Sequence, residues 1–265
     1  MTSNKFIALY DAHYGEEYKS INGVEKKFFT ENQKAIDAVL DFASEYDPDT
    51  VILGGDQLNC GPISHWNHGK PKLQEGFRLK AEMDRLDQKL LSFFDKGKPK
   101  NKIWLRGNHE QWIEDFVAAN PGVQGLVEPE NYLKLRERGW KIFSQGEFYK
   151  LGKLHFVHGD VILNGKNNVV NPAKYIVDQT RVSIRAGHIH TYYAYTDING
   201  LDSSDYHTGI IVPCLCNLNP AYLKNRPTRF INGFLWGEVL NSGNFNDQVT
   251  IINDNKFVIN GVIYG

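Results

Sequence analysis

The sequence predicts an α/β sandwich with parallel strands at its centre. Up to residue 105, short apolar segments alternate with amphipathic ones in the order strand, helix, strand, helix, strand. The second half is richer in short strand-like segments and ends in a hairpin pattern. Strands that alternate with helices are typical of α/β folds, in which a crossover helix connects neighbouring parallel strands.

The first half contains the elements that define this order. Residues 5–10 contain the apolar run 6–10 and polar residues follow at once, which is typical of a buried strand. Residues 30–46 have apolar side chains at helical spacing, with Thr30 as the expected N-cap and Gln33 at the reciprocal capping position. The next elements are a strand over 50–53, a long helix over 75–94 and a strand over 101–105.

The second half is expected to add strands. Residues 257–264 predict a hairpin, because Asn260 and Gly261 tolerate the positive φ angles of a two-residue turn. No low-complexity linker or internal repeat divides the chain, so we expect a single domain over residues 1–265 without a separate capping domain. The other predicted strands are 153–157, 182–186, 192–196, 210–212, 234–240 and 249–252.

Composition excludes several classes of protein. Of the 265 residues, 41% are hydrophobic and 23% are charged, as in ordinary globular proteins. Thirty basic and 31 acidic residues give a net charge of -1, which argues against nucleic-acid binding by bulk charge. No apolar run approaches the roughly 20 residues of a membrane span, and the run over 6–10 is too short for a signal peptide. We therefore expect a cytoplasmic protein without a membrane partner.

The cysteines argue against two further kinds of site. Cys60 lies far in sequence from Cys214 and Cys216, so a disulfide framework is not expected. The spacing of Cys214 and Cys216 does not match a redox or zinc motif, and we interpret the pair as strand-end packing.

Polar side chains of the types that bind metals follow five predicted strands. In α/β sheets, the carboxyl ends of the strands are where functional groups gather. Imidazole and oxygen ligands that converge from separate strands favour a binuclear site for Mn, Fe, Zn or Ni. If His188 and His190 continue a strand, their side chains point to the same side, one for each metal. The residues at these strand ends are Asp11, His13, Asp56, Asn59, Asn108, His109, His158, His188 and His190.

The order of these motifs resembles the calcineurin-like metallophosphoesterase superfamily. The motifs are Asp-x-His, Gly-Asp, Gly-Asn-His-Glu, His-Gly and Gly-His-x-His, and they span residues 6–190. The resemblance implies a four-layer α/β/β/α sandwich of two mixed sheets flanked by helices, with two divalent metal ions, of which Mn is expected first. It also implies one ligand set of Asp11, His13, Asp56 and His190, and a second of Asp56, Asn108, His158 and His188, with Asp56 shared.

The resemblance further implies a hydrolase that acts on phosphate esters. A hydroxide that bridges the metals would attack phosphorus in line, while His109 would contact the phosphate or protonate the leaving oxygen. One departure concerns the second motif, where Asn59 replaces the Asp that would pair with His109 and Cys60 replaces a phosphate-binding Arg. An amide at position 59 can still orient His109. The departure favours phosphodiester substrates, such as a nucleotide or nucleic acid, over phosphoproteins.

The loop after Asp56 offers candidate substrate contacts. His65, Trp66 and His68 lie within residues 58–72, and aromatic and basic groups beside a metal site could stack a base and bind a phosphate. A solvated loop is the alternative interpretation. Two alternatives to the phosphodiesterase also stand, a phosphomonoesterase or protein phosphatase of the same superfamily and a non-catalytic scaffold with this fold. The scaffold is disfavoured because all seven expected ligands and His109 are present.

Overall fold

The structure is a computed structural model that describes residues 3–64, 67, 69–70, 74–164, 169–224 and 226–265. The first half follows the order that the sequence predicts. It contains β1 (Ser3–Leu9), β2 (Glu16–Ile21), β3 (Val24–Phe29), α1 (Gln33–Tyr46), β4 (Thr50–Leu53), α2 (Leu79–Leu86), α3 (Ser92–Gly97), β5 (Asn101–Leu105), α4 (Asn108–Ala119) and α5 (Pro129–Tyr132).

The second half adds short strands and two helices. It contains β6 (Trp140–Phe143), β7 (Tyr149–Leu151), β8 (Leu154–Phe156), α6 (Asp160–Leu163), α7 (Pro172–Thr180), β9 (Ser183–Ala186), β10 (Tyr193–Asn199), β11 (Asp202–Ile211), β12 (Asn232–Leu240), β13 (Phe245–Ile252), β14 (Phe257–Ile259) and β15 (Val262–Tyr264).

Two mixed sheets form the centre of the molecule. The first sheet has the strand order β13-β12-β1-β4-β5-β6, in which β1, β4, β5 and β6 are parallel neighbours and β12 and β13 are antiparallel. The second sheet has the order β10-β11-β9-β8-β7, with a parallel core of β11, β9 and β8. The three strands of the first half that were predicted to be parallel, β1, β4 and β5, therefore lie inside the first sheet.

Side chains alternate between the two faces of each strand, so each sheet packs against a different layer on each face. In β1, Phe6 and Ala8 face the second sheet and pack with Phe156, whereas Ile7 and Leu9 face the helices on the other side of the first sheet. A third apolar cluster joins α7 to the outer face of the second sheet. The order of layers is helix, sheet, sheet, helix, which confirms the predicted four-layer sandwich.

Several local predictions differ from the structure. The helix predicted over 30–46 begins at Gln33, and its N-cap is Asn32, whose side chain accepts a hydrogen bond from the Ala35 N–H. Thr30 instead donates its hydroxyl to the His13 carbonyl, which explains why it does not cap the helix. The helix predicted over 75–94 begins later and is divided into α2 and α3 by a π-helical turn over Asp87–Leu91. The β2–β3 hairpin was not predicted.

The end of the chain agrees with its predicted turn. Strands β14 and β15 form an antiparallel pair, and Asn260 and Gly261 have φ angles of 50° and 81° between them. Over the stretches for which the structure gives coordinates, no helix has the length and apolar character that a membrane crossing requires.

Candidate metal and phosphate site

The carboxyl ends of five strands from both sheets meet at one edge of the sandwich. Each predicted site residue in the described part of the chain lies just after one of these strands. Asp11 and His13 follow β1, Asp56 and Asn59 follow β4, Asn108 and His109 begin α4 after β5, His158 follows β8, and His188 and His190 follow β9. Apart from Asn59 and Asn108, these residues bring ligand-type atoms into overlapping groups, in which the atoms lie within 4.8 Å of one another.

The first cluster consists of Asp11, His13 and His190. The two imidazole Nε2 atoms of His13 and His190 lie 3.1 Å apart. Asp11 Oδ1 lies 3.4 Å from His190 Nε2 and 3.9 Å from His13 Nε2. Three donor atoms therefore converge on one small volume, as the ligands of a single divalent ion must.

The second cluster consists of Asp56, His158 and His188. Asp56 Oδ2 lies 3.2 Å from His158 Nε2, and the rings of His158 and His188 have centroids 5.3 Å apart. The same carboxylate oxygen is 4.0 Å from His13 Nε2 and 3.8 Å from His109 Nε2. Asp56 therefore lies between the two clusters, where a shared ligand would have to be.

Buried polar atoms test whether the site fits metal ions. Within the described ranges, Asp11 Oδ1, Asn108 Oδ1 and His188 Nδ1 are buried and have no hydrogen-bond partner. A buried polar atom without a partner is costly, and a cation removes that cost. The donors are carboxylate, amide and imidazole groups, which suit divalent ions such as Mn, Fe or Zn. The residues therefore fit two divalent ions, one at each cluster.

Main-chain carbonyls fix the orientation of two histidine rings. His158 Nδ1 lies 3.0 Å from the Gly54 carbonyl oxygen, and His109 Nδ1 lies 2.7 Å from the Asn59 carbonyl oxygen. Because a carbonyl oxygen only accepts, Nδ1 carries the proton in both rings and Nε2 faces the site. Asn59 thus contacts His109 through its main chain, and not through the side-chain amide that the sequence suggested.

The Nδ1 atom of His190 contacts a thiol, whereas the Nδ1 atoms of His158 and His109 contact main-chain carbonyls. Its Nδ1 lies 3.7 Å from the Cys216 thiol, and Cys214 belongs to the same compact group of potential ligands. Both cysteines are buried. Their spacing predicted only strand-end packing, and nothing in the sequence indicated that a thiol lies directly behind a site histidine.

The backbone at the site is in an unusual conformation. Five of the seven predicted ligands have positive φ angles: Asp11 and His13 at 52°, Asp56 at 50°, His188 at 74° and His190 at 58°. This left-handed region costs roughly 1–2 kcal/mol for most residues and is concentrated at functional sites. The prediction that His188 and His190 continue a strand is wrong, because β9 ends at Ala186 and left-handed turns direct the two side chains into different clusters.

Main-chain hydrogen bonds hold these turns in place. The Asp11 N–H donates to the Gly55 carbonyl at 3.1 Å, and the His13 N–H donates to the Asp56 carbonyl at 3.0 Å. The Tyr14 N–H continues the series to Gln57 at 2.7 Å. The loops after β1 and β4 are thus joined beyond the end of the sheet, which offsets the conformational cost of the turns.

A buried glutamate supports the same region. Glu110, in the first turn of α4, accepts main-chain hydrogen bonds from Asp56, Gln57, Leu58 and Gly107 at 2.8–3.1 Å. Its carboxylate therefore fixes the main chain of Asp56 relative to the start of α4. The Gly-Asn-His-Glu motif contained this residue, but the sequence did not indicate what it contacts.

Glycine is required where the loops approach the aspartates. A Cβ atom on Gly107 would lie 2.1 Å from Asp56 Oδ1, and one on Gly187 would lie 2.4 Å from Asp11 Oδ2. Gly107 has φ −97° and ψ −171°, which any residue adopts. Glycine is therefore required at this position to leave space for Asp56, and not to adopt a special backbone conformation.

Burial and close contacts shift the pKa values of the histidines. Burial lowers the pKa of His190, but the Asp11 carboxylate beside it outweighs burial and raises the pKa to about 9. Burial and the neighbouring His109 and His190 hold the pKa of His13 well below its ordinary value. At neutral pH, a proton therefore resides on His190 next to a neutral His13, in the position that a cation would take.

Aromatic rings flank the site on two sides. Trp112 lies over His109 with ring centroids 4.0 Å apart, and Phe230 lies against His190 with centroids 4.5 Å apart. Neither was predicted, since both lie outside the motifs. The predicted substrate contacts His65, Trp66 and His68 lie outside the described residues.

A family model matches most of the chain. The model for the calcineurin-like phosphoesterases matches residues 11–210, which include all nine site residues that follow the strand ends, from Asp11 to His190. The chain belongs to the calcineurin-like phosphoesterase family.

Solved structures and curated sequences provide two further comparisons for this chain. Its structure is similar to that of the NAD nucleotidase of Haemophilus influenzae, with 13% sequence identity and a TM-score of 0.38. The similarity covers 96% of this chain and 52% of the nucleotidase, so the chain spans about half the length of that protein. Comparison with curated protein sequences finds no match.

We predict that Gly107→Ala disrupts the site. The added Cβ would displace the Asp56 carboxylate, so metal content should fall and turnover should drop by about 10²-fold, as for a misplaced catalytic group. Metal analysis and a phosphate-ester assay measure both effects. Gly122→Ala is the matched control, because its Cβ meets nothing within 4 Å. Wild-type metal content and turnover in Gly107→Ala would contradict the role of this close approach.

We predict that metal affinity rises with pH between about 7 and 9. His190 is protonated over this range because its pKa is about 9, so a divalent ion must displace that proton to bind. One displaced proton changes the affinity about tenfold per pH unit. Calorimetric titration of the metal-free protein with Mn²⁺ in buffers of different ionisation enthalpy counts the protons released. An affinity that is constant across this range would show that His190 does not bind the metal.

Proposed function

We propose that this phosphoesterase is a two-metal phosphodiesterase whose substrates are nucleotides or nucleic acids. The observation that carries the proposal is the position of Asp56, whose carboxylate lies within 4.0 Å of imidazole nitrogens from both clusters and from His109. One ion would be held by Asp11, His13, Asp56 and His190, and the other by Asp56, Asn108, His158 and His188.

The protein's own residues would position the phosphate between the clusters. Two bound divalent ions would supply positive charge for the phosphate oxygens and lower the pKa of the attacking water. Asp11 and Asp56 are buried and accept main-chain N–H groups from His188 and His109, which holds their free oxygens towards the site. Glu110 fixes the position of Asp56 relative to α4, because its carboxylate accepts the main-chain N–H groups of Asp56 and Gly107.

His109 is the candidate proton donor. Its Nδ1 is held by the Asn59 carbonyl, and its side chain retains 18% exposure, the largest value among the histidines that lie near Asp56 in ion-pair range. When the ring is protonated at both nitrogens, its Nε2 faces the site with a proton that it can donate to the leaving oxygen. Burial lowers the pKa of His109, although Asp56 acts in the opposite direction.

The preference for diesters is supported by the environment of position 60. Cys60 is fully buried and therefore presents no group to a substrate. A cation that would grip the additional negative charge of a phosphomonoester is thus missing at this position of the described site. A phosphodiester carries one charge fewer, and the two ions suffice for it.

Hydrolysis assays with Mn²⁺ test the substrate class. We expect faster turnover of a chromogenic phosphodiester, such as bis(p-nitrophenyl) phosphate, than of p-nitrophenyl phosphate at equal concentration. Cyclic nucleotides and single-stranded DNA should be compared in parallel. Monoester turnover that far exceeds diester turnover would overturn the diester preference and leave a phosphomonoesterase. If the purified protein contains no metal and shows no metal-dependent activity, a non-catalytic scaffold would be supported instead.

We predict that His109→Ala separates catalysis from metal binding. Turnover should fall by roughly 10²–10⁴-fold, as for loss of a general acid. Metal content should be unchanged, because His109 is not one of the seven proposed ligands. The loss should be smaller for a substrate with a p-nitrophenolate leaving group, which needs little protonation. His158→Ala is the comparison variant, and it should lose metal as well as turnover. Loss of metal in His109→Ala would assign the residue to the ligand set.

A further inference from the structure

A basic loop lies beside the first cluster. We define it as residues 217–224 and 226–231, between Cys216 and β12. It contains Lys224, Arg226 and Arg229, and residues 217–231 include no aspartate or glutamate. All three basic side chains are exposed. The loop is therefore a local concentration of positive charge on a chain whose net charge is only -1.

Two contacts attach the basic loop to a proposed metal ligand. The Phe230 ring lies against the His190 ring, with centroids 4.5 Å apart and an interplanar angle of 62°. The Ile231 N–H donates a hydrogen bond of 2.9 Å to the His190 carbonyl oxygen. These contacts place the end of the basic loop at the edge of the first cluster.

Of the three basic residues in the loop, Arg229 directly precedes Phe230, whose ring contacts His190. Its Cα is about 3.8 Å from that of Phe230, as for any consecutive residues. Its guanidinium Nη1 donates to the Tyr193 hydroxyl at 3.2 Å, and Tyr193 follows His190 by three residues. The Arg229 side chain is therefore anchored to the segment that carries His190.

The charges of the basic loop are not neutralised by the protein. In the described ranges, no carboxylate oxygen lies within 4.0 Å of the charged nitrogens of Lys224, Arg226 or Arg229. Other basic residues are paired, as Arg185 is with Asp247 and Lys102 with Asp95. The exposed cations of a loop whose end contacts His190 are available to an anion, and a guanidinium suits phosphate oxygens particularly well.

We propose that the basic loop binds a second phosphate group of the substrate, one that is not cleaved, with Arg229 as its main contact. This inference rests on the proposed function, in which the metal clusters bind the phosphate that is cleaved. The substrate class is then a nucleotide phosphodiester that carries at least one further phosphate. A nucleoside bisphosphate ester and a nucleic-acid strand both have this chemistry. Phe230 adds an aromatic surface beside the same position.

A pair of esters that differ by one phosphate tests the inference. The first is the p-nitrophenyl ester of thymidine 5′-monophosphate, and the second is the same ester with an additional 3′-phosphate. With the Mn²⁺-loaded protein, kcat/KM should be about threefold to tenfold higher for the second ester, as for one exposed charge-assisted contact. Arg229→Gln should bring the ratio of the two values close to one. Tyr193→Phe should lower the ratio less, because it removes only the hydroxyl that orients the guanidinium.

Arg181→Gln is the matched control. Arg181 is also exposed, but it lies at the amino-terminal end of β9, opposite the site, where it pairs with Asp197. This variant should keep the wild-type ratio. Thermal unfolding of each variant checks that the fold is retained. An oligothymidylate that carries the same p-nitrophenyl ester on its 5′-phosphate serves as a third substrate, since a further rise in kcat/KM identifies a strand as the source of the second phosphate, and no rise identifies a small nucleotide.

Binding measurements distinguish this inference from the proposed function. Calorimetry of the Mn²⁺-loaded protein compares thymidine 3′,5′-bisphosphate with thymidine 5′-monophosphate. If the bisphosphate binds more tightly than the monophosphate, and Arg229→Gln removes this difference, the proposed role of the basic loop is supported. This holds even if neither ester is hydrolysed and the phosphodiesterase proposal fails. Equal rates for the two esters, or a preference that Arg229→Gln leaves unchanged, would overturn the inference while diester hydrolysis stands.

Discussion

The burial of two carboxylates, Asp11 and Asp56, is the constraint on which the rest of the site depends. Their exposed fractions are 0% and 2%, and each lies where the two sheets meet. Buried charges require opposite charge or hydrogen bonds. The structure meets this requirement with imidazoles from four loops and with main-chain N–H groups from His109 and His188. In the absence of an ion, a proton on His190 supplies part of the opposite charge, and a bound divalent ion would replace it.

The same constraint explains the local backbone. Side chains that must converge on two small volumes cannot all follow strand alternation, so the chain turns through left-handed conformations at Asp11, His13, Asp56, His188 and His190. Such turns persist because neighbouring loops fix one another through main-chain hydrogen bonds and because glycines leave room beside the carboxylates. The positions of the site residues are thus fixed by rigid loop ends that extend from a packed sandwich.

Local sequence patterns predicted the strands and the strand ends at which the proposed ligands lie, and the family resemblance implied the four layers. Apolar periodicity determines the strands, and each proposed ligand lies directly after one of them. The turn geometry was not predictable in this way. His188 and His190 were expected to alternate along a strand, but their conformation depends on contacts with Asp11 and with other loops. The contacts of Glu110, Cys216 and Phe230 also join residues distant in sequence, which single-sequence patterns do not reveal. The division of the 75–94 helix and the Asn32 N-cap depend on tertiary packing as well.

The two sheets contribute unequally to the proposed ligands, and this division has a consequence for the whole molecule. Asp11, His13, Asp56 and Asn108 extend from the first sheet, whereas His158, His188 and His190 extend from the second. An ion held by residues of both sheets is a cross-link between the two halves of the sandwich. By mass action, an ion that binds only the folded protein also opposes separation of the sheets. The bound ions would then stabilise the fold as well as support catalysis. A chelator would therefore lower the free energy of unfolding together with the activity.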